Sequence, residues 1–257
     1  MIISASRRTD IPAFYSEWFF NRINEGYVLV PNPYNPNMIS RVSLDPAVID
    51  CVVFWTKNPA PMIEKLDRLA DYKYYFQFTL NPYGTELESK LPSLDKRIDT
   101  FKRLADRIGK EKVVWQYDPI LTNEYYTVAF HQDKFAEMAV ALQGYTEKCM
   151  LGFIDHYPHV RASLREFNIE PLAKEDIEAM AVAFRKTADE LSMELDTCTT
   201  RIDLSHIGIP SGLCVDNRLI ERITGYPILS RKDKNQRDIC RCVESIDIGT
   251  YESCLNG

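Results

Sequence analysis

Short apolar runs alternate with amphipathic stripes along this chain, and the alternation predicts buried parallel strands joined by helices. Runs rich in β-branched and aromatic residues fall at 1–6, 26–31, 51–56, 74–79, 113–117, 149–154, 192–196 and 244–248. Most are near-continuously apolar, the pattern of strands covered on both faces. Between them Ile98, Phe101, Ala105 and Ile108 recur at helical spacing, as do Phe135, Met138, Ala139 and Leu142. Ile177, Met180, Ala181, Phe184, Ala188 and Leu191 make a third stripe. Stripes of this kind face a core. Residues 200–240 follow neither period and read as a long irregular insertion. Eight strands alternating with helices predict an α/β fold, a single eight-stranded β/α TIM-like barrel over residues 1–257.

In such a barrel the chemistry sits on the loops that leave the C-terminal ends of the strands. Arg7, Arg8 and Asp10 follow the first predicted strand, Asn32 the second, Lys57 the third and Asn81 the fourth. Asp118 follows the fifth, Asp155 and His156 the sixth, and Cys198 the seventh. These loops are expected to converge on one face. Asp10, Lys57, Asp118 and Asp155 are then the candidate catalytic groups, and Arg7, Arg8, Asn32 and Asn81 the candidates for holding a cofactor or an anionic group. Ordinary roles stand beside each of these: an Arg8–Asp10 ion pair, a solvated Lys57, loop capping by Asp118 and Asp155, and Asn-Pro turns that merely end strands. His156 and His159 flank a proline away from helical metal spacing and read as hydrogen-bonding histidines, while His131 falls on a predicted helix. Trp55, Trp115 and Tyr117 read as packing, with an aromatic wall for a planar substrate as the alternative.

Composition narrows the class. A net charge of −6 argues against general nucleic-acid binding, and the run Arg231, Lys232, Lys234 and Arg237 reads as a solvated loop. No apolar run is long enough to span a bilayer, and the N-terminus lacks the charge order of a signal peptide. The chain therefore reads as a cytoplasmic protein with a small-molecule substrate and no membrane partner. Thiols stay reduced there, so seven cysteines point to metal or reactivity more than to disulfides. Cys51 and Cys149 begin apolar strands and read as small buried hydrophobes. Cys198, Cys214, Cys240 and Cys242 are the candidates for an all-cysteine site, zinc or an iron–sulfur cluster, against the alternative of separately placed, inert thiols. Cys240, Cys242 and Cys254 fall within fifteen residues of one another.

The strings SRRTDIPAFYSEWF (6–19), NPYNP (32–36), VFWTKNP (53–59), YYFQFTLNPYG (74–84), YDPI (117–120) and KDKNQR (232–237) with CRCVESIDIGTYESCLNG (240–257) resemble the domain-of-unknown-function family 1848, over nearly the whole chain. The resemblance implies a carboxy-terminal cysteine cluster similar to the CxxxCxxC motif of radical S-adenosylmethionine enzymes. In that motif three thiolates hold an iron–sulfur cluster whose open iron takes S-adenosylmethionine. Cys254 matches the first thiolate. The family pattern implies the other two beyond Gly257, so the motif is expected to be truncated here. Residues 248–257 are also similar to the strand-to-loop entry of the spore photoproduct lyase group, where the cluster loop follows the first strand. Here it follows the last predicted strand, which implies a permuted radical-type barrel. No Gly-Gly-Glu string, which usually holds the methionine amine in those enzymes, follows any predicted strand.

Three functions stay open at this point. The first is a radical-type iron–sulfur enzyme. The second is a metal-dependent hydrolase on the same barrel, using Asp10, Asp118, Asp155 and His156. The third is a non-enzymatic, cluster-bearing binding protein.

Overall fold

The computed structural model describes residues 1–33, 35–155, 160–229, 231–234, 236–251 and 253–256. In chain order its first half contains β1 (Ile2–Ala5), α1 (Ile11–Phe14), α2 (Ser16–Glu25), β2 (Tyr27–Asn32), β3 (Asn35–Ser43), β4 (Cys51–Thr56), α3 (Ala60–Ile63), β5 (Tyr74–Thr79) and α4 (Leu94–Ile108). The second half adds β6 (Val113–Ile120), α5 (Val128–Leu142), β7 (Lys148–Phe153), α6 (Arg161–Glu166), α7 (Lys174–Glu190), β8 (Glu194–Thr197), α8 (Asn217–Thr224) and β9 (Ile246–Asp247).

Seven strands form one sheet in the order β8-β7-β6-β5-β4-β1-β9, and every pairing in it is parallel. Parallel neighbours need a crossover, and helices supply each one from β4 to β8. Because side chains alternate across a strand, each strand feeds two layers. Val52, Phe54, Phe76, Phe78, Trp115 and Leu151 face the helices and pack with Phe101, Phe135, Met138 and Phe184. Trp115 stacks on Phe135 at 5.0 Å, and Phe135 meets Phe184 at 4.3 Å. Each such side chain contributes about 1.5–3 kcal/mol through burial. All three predicted helical stripes lie on this layer.

The opposite face buries Ile2, Val53, Tyr75, Val114 and Met150 against Val215, Leu219 and Ile220, the last two on α8. Toward the C-terminal ends of the strands this inner face turns polar, with Ser4, Gln77 and Gln116 all buried. That change of character is what makes room for a site.

One expectation needs correction, and a second is met only in part. The run at 26–31 is a strand, but it pairs antiparallel with β3 in a separate two-stranded hairpin. Its burial alternates, with Leu29 55% exposed, so it is covered on one face only and has no place among strands buried on both. Its partner strand is too polar, at Asn35, Asn37, Ser40 and Arg41, to announce itself by apolar periodicity. The eight-stranded closed barrel is likewise not found: among the described residues β8 and β9 are the two edges of the sheet and do not pair.

The irregular stretch after β8 runs along that open side. The Gly212 amide donates to the Thr197 carbonyl at 2.8 Å and the Thr197 amide to Pro210 at 2.9 Å, holding it on the β8 edge. Further on, the Val243 amide donates to Val215 at 3.2 Å and the Asp233 amide to Cys242 at 3.0 Å, which ties it to the approach of β9. Among the described residues no helix is long and apolar enough to cross a membrane.

Candidate functional site

The C-terminal ends of β1, β4, β5, β6 and β8 surround a cavity of about 420 Å³. Its wall includes Arg7, Arg8, Asp10, Trp55, Lys57 and Asp118 from the strand ends and Cys198 and Cys214 from the β8 side. Arg237, Cys240, Cys242, Cys254 and Asn256 complete it from the last part of the chain.

The alternation of β8 decides where Cys198 points. Asp196 lies on the inner face, so the residue two further on does too. Cys214 arrives on the segment beside β8, and its carbonyl accepts hydrogen bonds of 2.6 Å from both the Tyr75 hydroxyl and the Gln77 amide. Gln116 donates in turn to Gln77. These polar side chains on the inner face of β5 and β6 therefore seat the loop that carries a thiol.

The sulfurs of Cys198 and Cys214 stand 3.1 Å apart. Cys242 receives the backbone N–H groups of Cys214 at 3.3 Å and Val215 at 3.4 Å. Hydrogen bonds from the thiols of Cys214 and Cys240, the Val215 amide and the positive charge of Arg7 hold its pKa far below that of a free thiol. Its two partners move the other way: the Cys214 and Cys240 thiols are pushed up by sharing protons with a neighbouring sulfur and by burial. The arrangement is one thiolate collecting donors from two thiols and two amides.

Whether these residues fit a metal is a question of donors and spacing. Four sulfurs linked in the row Cys198–Cys214–Cys242–Cys240 are donors of the kind that suit zinc or iron–sulfur chemistry. As they stand, no group of three or more His, Cys, Asp or Glu side chains among the described residues is spread to hold an ion. The 3.1 Å Cys198–Cys214 contact is shorter than the edge of about 3.8 Å that a tetrahedron with 2.3 Å metal–sulfur bonds requires. The donor set fits, and the spacing is that of a thiol cluster drawn in on itself.

Asp10 is taken up structurally. It caps α1 through the Ala13 amide at 3.0 Å, and its other oxygen accepts from the Lys57 amide and from Asn256 Nδ2, both at 2.8 Å. Lys57 reaches Glu88 at 2.8 Å, and Glu88 pairs on its other side with the buried Arg97 at 2.7 Å. Asp118 opens onto the cavity. Burial pushes its pKa up, opposed by Arg237 and Lys57. A side chain at Gly152 would collide with its carboxylate, so glycine is what leaves room for it.

Arg7 lays its guanidinium over the Trp55 ring at 4.9 Å, and Arg8 lies over Tyr251 at 4.6 Å. Arg7 Nη2 and Asn256 Oδ1 are buried with no hydrogen-bond partner among the described residues. Asp247 of β9 holds this corner together, accepting from Ser6 Oγ at 2.7 Å, Ser4 Oγ at 3.0 Å and the amides of Arg7 and Gly249 at 2.9 Å. The tail is laid against it by Thr9 Oγ1 to the Thr250 carbonyl at 2.7 Å and Tyr15 to the Ser253 carbonyl at 2.8 Å. That contact brings Cys254 to the cavity wall.

Of the residues expected at the mouth, Arg7, Arg8, Asp10, Lys57, Asp118 and all of Cys198, Cys214, Cys240, Cys242 and Cys254 line this one cavity. Three do not. Asn32 lies at the turn of the β2–β3 hairpin, outside the parallel sheet, because its strand joined β3 instead. Asn81 is buried and donates to the Asp118 carbonyl at 2.8 Å, a support for the loop with no face on the cavity. Asp155 is engaged by Arg201 at 3.4 Å and Arg237 at 3.8 Å and reaches the cavity only through the latter. His156 and His159 lie outside the described residues.

Glu88, Gln77, Gln116 and Asp247 have no role in the sequence-based expectations, and Arg237 reads there as part of a solvated loop. A signal existed for the glutamines, which are polar residues at the inward phase of otherwise apolar strands. None existed for Arg237, which sits in an aperiodic stretch.

A comparison with curated proteins finds no match, and neither does one with solved structures. The sequence pattern of one family, described as Domain of unknown function (DUF1848), matches residues 2–257. On that match the chain belongs to the DUF1848 family.

Proposed function

We propose that this protein is an iron–sulfur enzyme of the radical S-adenosylmethionine type, acting on a small molecule in the cavity at the C-terminal ends of the sheet. The observation that carries this reading is the meeting of Cys254 with the thiol group of Cys198, Cys214, Cys240 and Cys242 in one cavity that also holds Arg7, Lys57 and Asp118. The strand order supports it as well. The seven parallel strands follow chain order except that β9 returns beside β1, as expected of a permuted β/α barrel whose remaining gap is spanned by irregular backbone.

In this reading Cys254 contributes one thiolate to the cluster that takes S-adenosylmethionine, with the two thiolates implied by the family resemblance. The other four cysteines hold a second metal group, iron–sulfur or zinc. When bound, the cluster supplies one-electron reduction of S-adenosylmethionine. The chain's own residues bind, orient and screen. Arg7 and Arg8 present fixed positive charge, Trp55 orients Arg7 from one face, and Asp118 presents its carboxyl group to the cavity. Lys57, tied to Glu88, keeps its strand end in place.

The test is to purify the natural full-length protein without oxygen, measure iron, sulfide and zinc, and assay release of 5′-deoxyadenosine after chemical reduction. A brown protein that releases it meets the proposal; a colourless, iron-free protein sinks it. Binding of S-adenosylmethionine without cleavage would favour a sensor. The hydrolase reading is weaker here, because three N–H donors already occupy the Asp10 carboxylate and two arginines engage Asp155.

A further inference from the structure

Basic side chains gather in the cavity although the chain as a whole is acidic. The chain carries a net charge of −6, yet Arg7, Arg8, Lys57 and Arg237 line the cavity beside two carboxylates, Asp10 and Asp118, and the Cys242 thiolate. Lys57 is offset by Glu88, and Asp10 is enclosed by three N–H donors. Burial pushes the Asp118 pKa up, opposed by Arg237 and Lys57. Arg237 is met by Asp155 at 3.8 Å, and Arg7 lies beside the Cys242 thiolate. These basic side chains share a recess whose low-dielectric walls strengthen their interaction with any charge they face.

Arg7 adds a directional clue. Its backbone is held by Asp247 at 2.9 Å and its guanidinium rests on Trp55, so the group has little freedom to turn away. Among the described residues its Nη1 makes only long contacts, 3.4 Å to Ser245 and 4.0 Å to Asp233. Its Nη2 is buried and has no acceptor among the described residues. Buried donors are rarely left without a partner, and a guanidinium edge matches the paired oxygens of a carboxylate or phosphate.

We propose that the substrate of this cavity is a small anion, carrying a carboxylate or a phosphate that Arg7 and Arg237 grip beside Asp118. The word substrate rests on the enzyme reading above, whereas the anion site does not. It belongs to the folded chain and needs no metal.

The experiment titrates metal-free protein with inorganic phosphate and, separately, with succinate, read by calorimetry and by the NMR signals of the arginine side chains. One saturable site for either anion is expected at millimolar concentration or below. The tighter of the two probes assigns the class of the charged group. Arg7→Gln and Arg237→Gln should each weaken binding by about tenfold or more. Arg103→Gln, an exposed arginine paired with Glu64, should change nothing. If Arg7→Gln fails to fold, as judged by circular dichroism, the half-exposed Arg237→Gln carries the comparison alone.

Absence of saturable binding by both anions overturns the proposal, and so does a folded Arg7 or Arg237 variant that binds as tightly as the parent. The two readings fail separately. A colourless protein that binds phosphate removes the radical chemistry and keeps the anion site, while a brown protein indifferent to both anions does the reverse.

Discussion

Burial pushes the Asp118 carboxyl toward its protonated form, while Arg237 and Lys57 pull it back toward the charged one. With the folded pKa raised, the folded state holds the proton more tightly than the unfolded state. Stability therefore falls as pH rises from the ordinary carboxyl range through the folded pKa, and stays reduced above it. Asp118→Asn is expected to raise Tm at neutral pH by about 2–4 °C, with the gain gone at acid pH where both carboxyls are protonated. If Asp118 is the proton donor of the cavity, the same variant loses turnover, so a more stable and less active protein is the signature to look for. Thermal melts across pH and a turnover assay read the two halves independently.

His131 gives the opposite sign. It is fully buried between the Tyr117 hydroxyl at 2.8 Å and the Leu121 carbonyl at 2.7 Å, and desolvation lowers its pKa to about 4. The unfolded chain takes up its proton near pH 6.5, well before the folded one. Stability should decline as pH falls from 6.5 toward 4, by about 2 kcal/mol at pH 5 from this group. Denaturant titrations at pH 7 and pH 5 should show the loss in the parent and much less of it in His131→Leu, whose overall stability is lower at both.

Among elements, the joint between β1 and β9 is the one that matters to the site. A two-residue strand is too short to hold itself, and Asp247 supplements it with two hydroxyl and two amide donors. Gly249 is needed there, because a side chain would strike Ser6. Asp247→Ala should cost about 3 kcal/mol by stranding those donors. It should also expose residues 248–256 to protease while leaving the hydrogen exchange of β5 and β6 slow. If the tail stays protected, the joint is held by something other than this carboxylate.

The elements also show what could be read in advance. Buried parallel strands have a continuous apolar signature, so β1, β4, β5, β6, β7 and β8 were legible in the letters alone. β2 was legible as a strand but not as a hairpin, because its partner β3 is exposed and polar along most of its length. The grouping of Cys198, Cys214, Cys240 and Cys242 followed from where the strands on either side of the irregular stretch end. Arg237 did not follow from anything. Its position depends on how an aperiodic segment packs, and a basic run looks the same whether it faces solvent or a cavity.

For the whole molecule, the averaged charge is misleading. A net −6 sums the whole chain and conceals a recess lined by four basic side chains. The argument from net charge against nucleic acid concerns the chain's average and carries no information about the cavity. A formal sum discards position, and function at a recessed site depends on position.

The return of β9 to the side of β1 has a consequence in time as well as in space. Asp247 meets Ser6 across 241 residues of chain, and Cys254 meets the wall built by Arg7 and Arg8 across a similar span. On the ribosome, strands β1 to β8 can pair with their neighbours one after another as they emerge, since each lies next to the strand before it or just after the hairpin. The recess stays open on one side through all of that synthesis. It acquires its last wall only when residues beyond 240 are released, long after the core has condensed. A nascent chain thus cannot offer the complete thiol group to a metal before the sheet that shields it already stands.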